Sequence, residues 1–125
     1  MTDPMIPVSW GELLDKIAIL QIKTRRLRAP EARANAAKEL AALRQAAGSP
    51  PATRELEAAL IAVNTRLWRI EDLVREKEAA GDFGPAFVAL ARAVYHENDE
   101  WGRIKQALNR ALRSSLVEEK LYSAY

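Results

Sequence analysis

Cysteine is missing from all 125 residues, which removes disulfides, thiol nucleophiles, iron–sulfur clusters and thiolate zinc sites at once. Long apolar runs are missing as well. No segment approaches the roughly 18 consecutive apolar residues of a membrane span, and the opening MTDPMIPVSW has no basic stretch followed by an apolar core. The expectation is a soluble cytoplasmic chain without a membrane partner. Blocks of one charge are lacking too: 19 basic and 17 acidic residues are interspersed, for a formal net charge of +2. That argues against a nucleic-acid surface. Histidine occurs once, at His96, so a histidine pair for a metal or a proton relay is excluded. The 5 glycines and 6 prolines fall mostly between stretches of helical pattern. At 125 residues the chain makes one domain, large enough to bury about two-thirds of its unfolded surface.

Between the prolines, apolar residues recur at helical spacing. Ser9 and Glu12 have the S-x-x-E spacing of a capping box, in which the hydroxyl takes the amide of the third helical residue and the carboxylate reaches back. Before it, Pro4 and Pro7 imply an extended lead-in whose Ile6 and Val8 pack on the helices. In the first helix Leu13, Leu14, Ile17, Ala18, Leu20 and Ile22 occupy most of the circumference, which makes it central. Its remaining arc carries Glu12, Asp15, Lys16, Lys23 and Arg26. Pro30 opens a second helix that stops near Gly48, before Pro50 and Pro51. Its face of Ala32, Ala36, Leu40, Leu43 and Ala47 buries little area, so this helix should be the most mobile. A long third helix over residues 53–80 carries the seam Leu56, Leu60, Val63, Leu67, Ile70 and Val74. After the turn Gly81-Asp82-Phe83-Gly84-Pro85, a fourth helix runs to about Leu112 with a seam of Phe87, Leu90, Val94, Trp101, Ile104 and Leu108. Gly102 within it implies a close approach to the backbone. Ser115 and Glu118 repeat the capping-box spacing and predict a short fifth segment, docked through Leu116, Tyr122 and Tyr125. The expected fold is all-α: an antiparallel four-helix bundle with a short C-terminal fifth helical segment, its core formed by helices one, three and four.

Beside the seam of the third helix, Asn64, Trp68, Glu71 and Arg75 repeat at the same spacing one step round. Arg92, Tyr95, Asn98 and Asp99 form a comparable polar arc on the fourth helix. With Lys16 and Lys23 from the first, these ten side chains are the candidate ligand-binding set, because guanidinium and ammonium groups with neutral donors suit a phosphate or carboxylate. Four carboxylates, Glu12, Asp15, Glu71 and Asp99, would suit Mg²⁺ or Mn²⁺ if they faced one cavity. Each of the clearest acids has a base within helical reach, however, Glu12 with Lys16 and Glu71 with Arg75. Ion pairs that set helix register are therefore the simpler account, and no catalytic or metal residue is assigned. Ala93 stands where the Glu of an E-x-x-H iron motif would be, which leaves His96 without a partner. Trp10, Trp68 and Trp101 lie at element starts or beside seams, where core packing with a satisfied indole N–H is the ordinary role.

Four stretches, SWGELLDKIAILQIK, VNTRLWRIEDLVREKE, FVALARAVYHENDEWGRIKQALN and EEKLYSAY, together resemble an uncharacterised bacterial all-helical family, domain of unknown function 6165. The resemblance covers most of the chain outside the second helix. It implies no activity or cofactor. What it does imply is a setting, alongside cell-surface polysaccharide synthesis and glycosyl transfer. Trp101 and Gly102 depart from the family pattern, where Arg or Ala is more usual, so no role carries over to that turn. The expected function is accordingly a non-catalytic binding or accessory protein linked to surface-polysaccharide synthesis. The alternative is a small enzyme or binder of an anionic, phosphorylated metabolite at the interhelical polar site. Partners expected are a protein, a small anionic ligand, or a second copy, since the first helix is too apolar for a small monomer unless fully enclosed.

Overall fold

Ser9 starts a helix as its spacing predicts, yet only half of the capping box forms. Its Oγ accepts the amide of Glu12 at 3.2 Å, whereas the Glu12 carboxylate turns away to Lys105 at 3.0 Å. The neighbouring amides find other partners: Trp10 N–H donates to Ser114 Oγ at 3.2 Å and Gly11 N–H to Asn109 Oδ1 at 2.6 Å. The open end of this helix is therefore capped largely by residues about 100 positions away.

The computed structural model describes residues 1–50 and 53–124. Four helices, α1 (Trp10–Arg26), α2 (Pro30–Ala47), α3 (Arg54–Ala80) and α4 (Pro85–Ala111), pack together, with no strand among the described residues. Pro30 and Pro85 occupy first-turn positions, where a missing amide costs nothing. Gly81 closes α3 in the left-handed conformation, φ 65°. Asp82 Oδ1 then accepts the Gly84 amide at 3.1 Å, so the predicted turn forms from the residues expected of it.

α1 packs against all three other helices and α3 packs on α4, while α2 touches only α1. The core is Leu14, Ile17, Ala18 and Leu20 of α1 with Leu60 and Val63 of α3 and Ile104 and Leu108 of α4. Leu60, Val63 and Leu108 are fully enclosed, each contributing on the order of 1.5–3 kcal/mol. α2 adds only Ala36, Leu40 and Ala47, consistent with its thin apolar face.

α3 and α4 have 27 residues each against 17 in α1, so at about 1.5 Å per residue they outrun it by roughly 15 Å. No residue from 65 to 103 is fully buried. That part of α3 and α4 forms a hairpin whose apolar seam is only half covered.

Three expectations need correction. Ile6, at 75% exposure, and Val8 do not pack inward as expected. Residues 115–124 contain no helix: the tail runs back along α4 in extended form, and Ser114, not Ser115, makes the local bond, from Oγ to Leu116 O at 2.7 Å. Gly102 is not the close-approach glycine, since a methyl group there would meet only the stem of Lys120 at 4.0 Å. Gly11 is, because its Cβ would lie 2.7 Å from the Lys105 carbonyl oxygen. The expected contributions of Pro51 and Tyr125 lie outside the described residues.

Candidate functional site

Asp15 is the most deeply buried acid of the chain, at 2% exposure, and its position follows from α1 being apolar on nearly every side. A carboxylate there needs donors. Asn64 Nδ2 of α3 gives one at 2.8 Å and the Trp101 indole N–H of α4 another at 2.7 Å, both to Oδ1. Burial pushes the Asp15 pKa up, and the bonds from Trp101 and Asn64 with the charge of Lys105 offset only part of that rise. One acid thus ties three helices together.

Lys105 lies next to this group at 3% exposure. Its Nζ pairs with Glu12 Oε2 at 3.0 Å and Glu118 Oε2 at 2.9 Å, and stands 4.1 Å from the centre of the Trp101 ring. Burial alone would lower its pKa, but the bonds it donates to Glu118 and Glu12 outweigh that and the net direction is upward. Glu118 is lowered in turn, chiefly by Lys105. Lys120 lies near the same indole, 4.8 Å from its centre, and shares the Glu118 carboxylate with Lys105, so two ammonium groups border the Trp101 ring while its N–H holds Asp15.

This knot takes in Asn64 but none of the other nine candidates. Lys16 lies at the surface, 3.8 Å from Glu12, and Lys23 is half-buried on α1. Glu71 and Arg75 form an exposed pair at 4.0 Å, a contact worth little in water. Arg92 is exposed, and Trp68 lies under the Arg26 guanidinium at 5.9 Å. Among the described residues, no three His, Asp or Glu side chains converge on a metal position.

Three candidates do meet. Tyr95, Asn98 and Asp99 line a groove of about 410 Å³ on the outer side of α4, and its other wall is Tyr122 and Ser123 of the tail. Tyr95 stacks obliquely on His96, with centroids 4.8 Å apart at 39°. The tail is held along α4 by Glu118 on Lys105 and by Lys120, which also lies 5.7 Å from the Tyr122 ring. The groove therefore combines phenol rings from two parts of the chain with an amide, a carboxylate and a hydroxyl. Such a mixture can stack on a flat apolar face and bond to several hydroxyls at once.

Sequence reasoning missed Glu118 and Lys120, because no periodicity extends into an extended tail. It also grouped Asp99 with Glu71 in one acidic set, whereas Asp99 lines the groove at the tail and Glu71 pairs with Arg75. No helix among the described residues is long and apolar enough to cross a membrane. Comparison with curated proteins and with solved structures gave no significant match. The family model that does match, Family of unknown function (DUF6165), spans residues 5–125, and the chain belongs to that family.

Proposed function

We propose that the protein is a non-catalytic binding protein that takes a neutral, polyhydroxylated ligand of the saccharide class in the groove between α4 and the tail. One observation carries this reading: Tyr95 and Tyr122 face a common space of about 410 Å³ with Asn98, Asp99 and Ser123 beside them. A pyranose offers one apolar C–H face and a rim of hydroxyls, which is the complement of that set. Its volume lies within the range of small-molecule sites, about 300–1,000 Å³. Service to bacterial surface-polysaccharide synthesis, the setting that the family resemblance implies, fits a ligand of this class. The alternative, an anionic metabolite held across Lys16, Lys23, Arg75 and Arg92, has no comparable meeting of side chains in its favour.

Titration of the full chain with neutral mono- and oligosaccharides, followed by two-dimensional amide NMR, tests the proposal. Binding should move the amides of Tyr95, Asn98, Asp99 and residues 121–124. Tyr95→Ala and removal of residues 121–125 should each weaken it about tenfold or more, a loss of roughly 1.4 kcal/mol. The reading fails if no saccharide moves those amides, or if both variants bind as the parent does.

A further inference from the structure

A second groove, independent of the one at the tail, lies at the corner where α1 passes into α2. We propose that it binds a small soluble ligand carrying two or more linked phosphate groups. Arg25, Arg26, Arg28 and Arg33 line a space of about 730 Å³, with Trp68 and Asp72 of α3 on its other side. The lining thus carries four positive charges against one negative, a net +3.

Helix electrostatics accounts for only half of these arginines. Arg25 and Arg26 lie in the last turn of α1, where a cation complements the negative end of the helix. Arg28 and Arg33 flank the start of α2, the positive end, where a cation is disfavoured. Like charges are brought together there at some cost in stability. None of the four makes an ion pair with a described residue, so Asp72 is the one acid that lines the groove with them. An arrangement that opposes both the helix dipole and mutual repulsion is relieved by an anion.

The form of the site indicates which anion. The Arg26 guanidinium carbon lies 5.9 Å from the centre of the Trp68 ring, so an aromatic surface borders the cluster. Guanidinium forks match phosphate oxygens bidentately. A single carboxylate would neutralise one charge of the three. Linked phosphates neutralise two or more within one compact group.

Isothermal titration of the intact chain with pyrophosphate, and separately with orthophosphate, tests this. Pyrophosphate should bind about tenfold or more tightly than orthophosphate, and more weakly as salt rises. Arg28→Ala with Arg33→Ala should reduce its affinity about tenfold or more, as should the charge-preserving Lys versions that lose the fork. Asp72→Asn removes the opposing charge and should tighten binding, a gain that a damaged fold would not produce. Arg110→Ala, outside the groove, should leave affinity unchanged. No pyrophosphate binding, an equal loss in Arg110→Ala, or anionic phospholipid vesicles that bind without competition from pyrophosphate would each overturn the proposal.

Discussion

One added methyl group at Gly11 would collide with a backbone carbonyl, and a carbonyl in mid-helix cannot move aside as a side chain can. Gly11→Ala should therefore force α1 away from α4, lowering stability by about 1–3 kcal/mol in urea denaturation. The adjacent Asn109→Ala should cost a similar amount for a different reason, since it strands the buried Gly11 amide. Asp15 shows a third kind of residue-scale effect, one that depends on pH. Its pKa in the folded chain is raised above 3.8, so between the unfolded and folded values the native state binds more protons. Stability contributed at this site accordingly falls as pH rises through that window. Asp15→Asn keeps an oxygen for Trp101 and Asn64 but does not titrate. The variant should gain stability relative to the parent as pH rises above 3.8, measured by chemical denaturation at each pH. Glu118 acts in the opposite sense, because its lowered pKa means its contribution is lost as pH falls.

The tail behaves as a structural element although it has no regular secondary structure. Glu118 supplies one of the two carboxylates on a lysine that is 3% exposed, and Lys120 covers Trp101. Ending the chain after Ser114 should lower the melting temperature by several degrees and leave Lys105 with Glu12 alone. Lys105 has its pKa raised above 10.5, so its contribution is complete below that value and disappears as pH rises through the folded pKa. In the truncated chain that alkaline loss should begin at lower pH, which a thermal melt series in the alkaline range would detect. The tail also explains why Leu121, at 98% exposure, is not docked: the ionic and aromatic contacts on either side of it fix the path.

At the scale of the molecule, stability is unevenly distributed. The root of the fold, where α1 meets α3 and α4, holds every fully enclosed side chain of those long helices, while residues 65–103 hold none. α2 touches a single neighbour. Amide hydrogen exchange should therefore be slowest in α1 and in the adjoining parts of α3 and α4, and faster in α2 and the distal hairpin. Equal protection along the full length of α3 would show that the hairpin is covered by a partner in solution.

Helix positions, the turn at Gly81 and the central place of α1 were legible from the chain alone, because capping residues, proline placement and apolar spacing act over a few residues. The satisfied indole of Trp101 was legible for the same reason, whereas Asn64 was read as a ligand-binding candidate and is instead a buried partner of Asp15. What remained hidden depends on which faces of distant segments meet. Asn64, Glu71 and Arg75 share one spacing, yet only Asn64 is buried, against Asp15 of α1, while Glu71 and Arg75 pair at the surface. Tyr95 and Asp99 acquire a common wall only because an extended tail returns along α4, and the arginine groove exists only because α1 turns into α2 beside Trp68. Local spacing determines which side chains line up on one helix; the lengths and crossings of several helices decide which of those rows acquires a second side.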